Sequence, residues 1–332
     1  MGSPGVCRIY VLLMFGCAGH TEQPGSRSLD AAEPPSCTGL AVDCGPTSSE
    51  GCCVSPTVTG GSFERDNDPS YPATISSFRL DKYEVTVGRF RKFVEAVVAG
   101  WLPPPGSGKH THVNRGSGLS NSAAPGNELG WDPSWNTNLP ALKAAWDSSS
   151  YLACDPAYAT WTPSLASNEG LPINCVNWYE AAAFCIWDGG FLPSNAEGNY
   201  AAAGGNEQRL YPWGATFPSG STALAVFGCY LNANGNCTGL SNIAPVGSVA
   251  AGNGRYGQAD LAGNVAEWTL DWDAPYTTSA CDDCANLQPV IARVERGGSF
   301  FFYASLLPST SHDGVPPAAR SFDLGLRCAR TP

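Results

Sequence analysis

Fourteen cysteines in 332 residues set the first limit on this chain. Cys7 and Cys17 belong to the N-terminal apolar segment. The other twelve, at positions 37, 44, 52, 53, 154, 175, 185, 229, 237, 281, 284 and 328, can all pair without an odd thiol left over. Reducing compartments keep thiols free, so this count implies export to an oxidising one. A zinc reading is weak. Cys281-x-x-Cys284 has no second pair at ribbon spacing, and the four histidines do not cluster beyond His110-x-His112. In their Gly/Ser-rich surroundings, His110 and His112 are expected to be solvent-exposed rather than metal ligands.

The N-terminus carries one positive charge, Arg8, then a short apolar run from Ile9 to Gly16, too short to cross a bilayer as a helix. Gly16-Cys17 resembles the lipobox of bacterial lipoproteins, which implies lipidation at Cys17. An ordinary secretory signal or a mis-assigned start is the alternative. Residues 1–17 then read as a signal peptide and 18–36, rich in Gly, Pro, Ser and Glu, as a flexible tether. Residues 37–57 form a Cys-rich disulfide segment, and 58–332 a globular domain with an irregular, tryptophan-bearing insertion at about 102–171. No other apolar stretch is long enough to span, so contact with membrane is expected only through the lipid anchor. The expected location is the bacterial cell envelope, on the periplasmic or outer-membrane face.

Composition sets the style of the domain. There are 38 glycines and 27 prolines, about one residue in five, and only 14% charged residues. That excludes a coiled coil or helical bundle and predicts short elements joined by ordered loops. A net charge of −11 argues against nucleic acid as a partner, and suits a surface that holds a cation such as calcium. Three helix starts are predicted: Thr86 before the stripe Phe90, Phe93, Val94, Val97; Asn177 with Glu180 in a capping box; and Ser194 with Glu197 in another. Strands are predicted at Phe78–Val85, Arg293–Arg296 and Gly325–Ala329. The fold class is α+β.

Ordered motifs then run along some 270 residues. They are Gly60-Gly61-Ser62-Phe63, Leu80-Asp81-Lys82-Tyr83-Glu84-Val85-Thr86, Pro172 to Ala181, Leu192-Pro193-Ser194, Tyr211-Pro212-Trp213-Gly214, Asp260 to Trp268, Arg296-Gly297-Gly298-Ser299-Phe300 and Arg320 to Ala329. In this order they resemble the formylglycine-generating enzyme (sulfatase-modifying factor) family. The resemblance implies a C-type-lectin-like α+β fold with little regular secondary structure, and a staple between Cys185 and Cys328. Without the family, the aromatics of Tyr211–Gly214 read as loop packing and Gly297-Gly298 as positive φ or close backbone approach. Cys281 and Cys284 read as a local disulfide, and Cys229 and Cys237 as half-cystines.

Enzymes of that family oxidise a substrate cysteine with oxygen and copper(I), held by two cysteines shortly after the Gly-Gly-Ser strand. Soft thiolates are what copper(I) selects. Here Phe300–Asp323 contains no Cys, no Met and one His, so copper is not expected. Other departures agree: the family's acid- and Arg-rich helix appears as Phe191 to Gly205, with Asn195 and Asn199 where two acids would stand, and two cleft arginines are replaced by Pro308 and His312. The iron-dependent sulfoxide-synthase branch needs a helical domain that is missing here. Calcium is expected at the turn matching the family's structural site, with Asp260, Gly263, Val265 and Glu267 as ligands; a second site would involve Asn232 and Ala233, but lacks its acid near Thr238. No catalytic residue is assigned. The expected function is a non-catalytic, calcium-stabilised binding or scaffold module with an unknown protein, peptide or glycan ligand. A metal-dependent oxidoreductase and a lectin-like carbohydrate or peptide binder are the alternatives.

Overall fold

Each predicted helix begins at its predicted cap. In the computed structural model, which describes residues 1–2, 33–40, 42–220, 222–233 and 235–332, α1 spans Val87–Val98 and the Thr86 hydroxyl accepts from the Arg89 N–H at 3.2 Å. A short helix, α2, spans Lys143–Trp146. Helix α3, Trp178–Trp187, starts with the reciprocal Asn177–Glu180 box, and α4, Asn195–Ala202, with the Ser194–Glu197 box. Apart from residues 1–2 and 33–36, the segments expected to be signal peptide and tether, with Cys17, lie outside the described residues.

Pro34–Pro332 form one compact unit. Its longest strand, Ala266–Trp272, was not anticipated; the motif around it read as a turn. It is central to a four-stranded sheet, with Arg293–Arg296 antiparallel on one side and Leu324–Gly325 parallel on the other; His312–Val315 completes the edge. Three-stranded sheets are built by Ala329–Arg330, Phe78–Leu80 and Thr57–Val58, and by Gly61–Glu64, Pro72–Ile75 and Cys281–Asp282. The main core lies between α1, α3 and the long strand. Phe90 stacks on Phe184 at 5.5 Å, and the indole N–H groups of Trp178 and Trp268 donate to the Thr269 and Val176 carbonyls at 2.8 and 3.0 Å.

Two predicted strands are shorter than expected, for a shared reason. The strand from Phe78 stops at Leu80 because Asp81 turns its carboxylate between Arg89 and Arg330. The expected strand Gly325–Ala329 divides into pieces in two different sheets. Between them Arg327, fully buried, spends its guanidinium on Glu267 and on the carbonyls of Asp81, Lys82 and Ala259. Buried donors demand partners more strongly than a ladder demands continuity.

The tether also ends earlier than expected. Ser36 is buried, its N–H donating to Asp188 Oδ1 at 3.0 Å and its hydroxyl accepting from Arg89 Nε at 2.9 Å. The Cys-rich segment folds back on the domain, with Cys44 and Cys52 packed beside Tyr83, Val246 and Ala259. All twelve cysteines of the described residues are paired: 37–53, 44–52, 154–175, 185–328, 229–237 and 281–284. The first three of these pairings were open from sequence.

Candidate functional site

The candidate site is built where the chain leaves the strand Arg293–Arg296. Gly297 and Gly298 have φ of 96° and 63°, and a Cβ on Gly298 would meet the Leu306 carbonyl at 2.8 Å, so the turn requires glycine. Beside it lies a pocket of about 290 Å³ lined by Phe302, Leu306, Ser311, His312, Ser321 and three acids, Glu295, Asp313 and Asp323. Phe302 and Leu306 occupy the stretch just past Gly-Gly-Ser where a thiolate pair would have to stand. No reduced sulfur reaches this pocket among the described residues, since their cysteines are all in disulfides. Glu295 faces Asp313 directly across the strand pair. Burial, then Asp323 and Asp313, push the Glu295 carboxyl up to about 8. The lining is therefore phenyl, hydroxyl, imidazole and carboxylate, a poor environment for copper(I).

The positions that depart from the family's pattern are spent on one another. Arg296 donates to Asp66 Oδ1 at 2.9 Å, to the Ser309 carbonyl at 2.9 Å, to Tyr276 at 3.1 Å and to the side chain of Asn195. Asn199 bridges the same group, accepting from the Asp66 N–H at 2.8 Å and donating to the Ser309 carbonyl at 2.8 Å. His312 sits 3.3 Å from Asp66 Oδ2. Burial, then Arg296, holds its pKa below the usual imidazole value. Asn195 and Asn199 thus close a buried network with Arg296 and Asp66, and His312 joins it from the exposed edge through Asp66.

At the expected calcium turn, three carboxylates surround one guanidinium. Both oxygens of Glu267 accept from Arg327, the closest at 2.7 Å. Asp260, at φ 53°, accepts the Gly247 N–H at 2.5 Å. Glu84 accepts from Asn264 Nδ2 at 2.7 Å and from the Val265 N–H at 3.0 Å. Burial, then Asp260 and Glu267, raises the Glu84 pKa, and burial raises Asp260 to about 6. Hard oxygens with surplus negative charge fit Ca²⁺ in chemistry. Glu267 is shared with Arg327, however, and among the described residues no three metal-ligating side chains converge. At the second expected position, Asn232 donates to the Ser241 carbonyl, and the hydrogen-bonding side chains of that turn are Thr238, Ser241 and Asn242, none of them a carboxylate. Ala233 ends the short helix Tyr230–Ala233.

Sequence reasoning missed His110. Expected in solvent, it is fully buried. Its Nδ1 lies 3.0 Å from Glu128 Oε2 and its Nε2 3.1 Å from Glu197 Oε2, with its ring 3.9 Å from that of Phe191. Burial opposes its charge, but Glu197 and Glu128 outweigh that and raise the pKa to about 10. His112 stacks on Phe191 at 5.7 Å and is only partly exposed; burial lowers its pKa. The partners of His110 lie 18 and 87 residues away in sequence, so no local pattern announces them.

The comparisons with known proteins agree with this frame. A family profile, the sulfatase-modifying factor enzyme 1-like domain, matches residues 49–332. Among curated relatives, the chain is 28% identical to the formylglycine-generating enzyme of Thermomonospora curvata, covering 81% of this chain and 88% of the relative. It is 30% identical to the inactive C-alpha-formylglycine-generating enzyme 2 of Bos taurus, covering 81% and 85%. Of solved structures, PvdO from Pseudomonas aeruginosa superposes with a TM-score of 0.54 at 20% identity, over 91% of this chain and 100% of that one. Treponema denticola variable protein 1 gives 0.52 at 20% identity, over 84% and 95%. The match at 49 brings part of the Cys-rich segment within the domain, ahead of the boundary expected at 58. The chain belongs to the formylglycine-generating enzyme (sulfatase-modifying factor) family.

Proposed function

We propose that this chain is a non-catalytic binding or scaffold module of its family, exported and held at the cell envelope by lipid at Cys17. One observation carries the reading: the pocket beside Gly297–Gly298 has phenyl, hydroxyl and carboxylate groups where copper(I) would need two thiolates, while every described cysteine is locked in a disulfide. That an inactive relative in Bos taurus matches as well as the active enzymes do supports it. Six disulfides support an oxidising compartment. The test is oxygen consumption by the purified protein with copper(I), reductant and a cysteine-containing peptide. No uptake above the copper control is expected, and stoichiometric uptake with loss of peptide thiol removes the reading.

Calcium enters as stabilisation. Asp260, Glu267 and the carbonyls of Gly263 and Val265 would hold the ion, which would offset the surplus negative charge that Glu84, Asp260 and Glu267 place around Arg327.

A further inference from the structure

A larger cavity, about 690 Å³, lies between the insertion and the core, beside Leu270 and Trp272 at the far end of the long strand. Its volume falls in the range of about 300–1,000 Å³ that small-molecule sites occupy. Trp131 and Trp135 come from the insertion, Trp178 from α3 and Trp272 from the long strand. Trp135 meets Trp131 and Trp178 edge to face at 5.3 and 5.4 Å.

Arg293 lies among these indoles, its guanidinium carbon 3.8 Å from the ring centroids of both Trp178 and Trp272. It is 4% exposed. The buried arginines Arg89, Arg91, Arg296, Arg327 and Arg330 all have ion-pair partners among the described residues. Arg65 is satisfied by the carbonyls of Tyr71 and Thr277. Among the described residues Arg293 has no ion pair; its Nη1 donates to the Leu270 carbonyl, and its Nε has no partner. Indole faces hold a guanidinium in place but accept none of its in-plane hydrogen bonds. On another wall, Glu128 keeps Oε2 on His110 while its Oε1 is without a partner, and Asp132 stands nearby at the mouth.

We propose that this cavity binds a sugar acid. Its carboxylate would pair with the Arg293 guanidinium, its ring would stack on the exposed indole surface, and its hydroxyls would donate to Glu128 and Asp132. A buried guanidinium that no carboxylate contacts, with Asp271 acting on it only at longer range, favours an anionic acceptor. Carboxylate acceptors a short way off require a ligand that also donates, and disfavour one that is anionic throughout. Trp135 and Trp272, the two partly exposed indoles of the lining, supply the flat apolar surface that the C–H face of a sugar ring covers. A sugar acid meets all three demands in one small molecule. The assignment names a ligand for the binding role proposed above; it is read by equilibrium binding, so oxygen uptake in the other assay would remove the non-catalytic reading and leave this one standing.

The test is titration of the full chain with sodium glucuronate and with glucose, followed by tryptophan fluorescence and calorimetry, with N-acetyl-tryptophan as a carboxylate of peptide type. Glucuronate is expected to bind at least about tenfold more tightly than glucose, the worth of one charge-assisted hydrogen bond. The R293Q variant is expected to lose that preference. Should R293Q fail to fold, the glucuronate-to-glucose ratio in the unmodified protein still decides, and W272A supplies a second variant that removes one face of the sandwich. Equal affinity for the two sugars, no response to glucuronate, or binding of N-acetyl-tryptophan in its place each overturns the proposal.

Discussion

Replacing His110 by Gln tests whether a buried imidazolium holds the insertion to the frame. His110 is raised from 6.5 to about 10 by Glu197 and Glu128 against the cost of burial. A group whose folded pKa exceeds its unfolded value stabilises fully below the unfolded value and loses that contribution as pH rises through the folded one. The interval from 6.5 to about 10 corresponds to about 5 kcal/mol, at about 1.4 kcal/mol for each tenfold. By pH 9, about 3 kcal/mol of it should be gone. The assay is denaturant unfolding of wild type and H110Q at pH 6 and pH 9, with disulfides intact. Other groups titrate in this window too. Glu295, raised to about 8, also loses stability as pH rises, but it does so equally in both proteins. The quantity that matters is therefore the stability gap between the two proteins. It should be about 3 kcal/mol larger at pH 6 than at pH 9. A gap that stays constant with pH would mean that His110 is neutral in the folded state, and the argument for the Glu128–His110–Glu197 bridge would fail.

Three further outcomes are expected. Replacing Cys185 and Cys328 together by Ser opens a link between residues 143 apart, and should cost about 4–5 kcal/mol in the chain-entropy account, read as a lower denaturant midpoint. The D81N variant leaves Arg89 and Arg330 facing a neutral amide in a fully buried cluster and should lose about 3–5 kcal/mol. Because Arg330 and Arg89 hold the Asp81 pKa below its usual value despite burial, the wild type should lose this contribution only as pH falls below about 4, whereas D81N should show no such acid limb. Millimolar Ca²⁺ should raise the melting temperature relative to EGTA, with the rise abolished in D260N; an unchanged temperature in wild type would count against a cation at this turn.

Local signals explain which parts of the fold were legible. Thr86, Asn177–Glu180 and Ser194–Glu197 are caps whose partners lie three residues away, and each predicted helix starts there. Glycine and proline punctuation forecast short elements. Side chains whose partners are distant were opaque. Arg327 divides a predicted strand by reaching Asp81, Lys82, Ala259 and Glu267. His110 depends on Glu128 and Glu197. The strand Ala266–Trp272 was hidden differently: its burial does not alternate cleanly, because Trp268 and Thr269 are both buried under neighbours on opposite faces. At the candidate site, the sequence showed which residue types were missing after Gly-Gly-Ser. It did not show that the replacements Asn195, Asn199 and His312 are joined through Arg296 and Asp66.

The two ends of the long strand Ala266–Trp272 show how one frame carries both outcomes. At its start, Glu267 and Arg327 keep the core joined, and Arg296 on the neighbouring strand is held by the Ser309 carbonyl and Asp66. At its far end, Trp272 and Arg293 face a cavity whose opposite wall is the insertion. That wall has few regular elements to stiffen it. Its placement depends on point contacts, and Glu128 supplies one of them by binding His110 through Oε2 and the His110 N–H at 3.0 Å. His110 in turn reaches Glu197, whose carboxylate also caps α4. The same glutamate that starts a helix in the frame thus fixes the loop that shapes the cavity. A change at Glu197 should therefore reach the proposed sugar-acid site through Glu128 without touching the cavity lining.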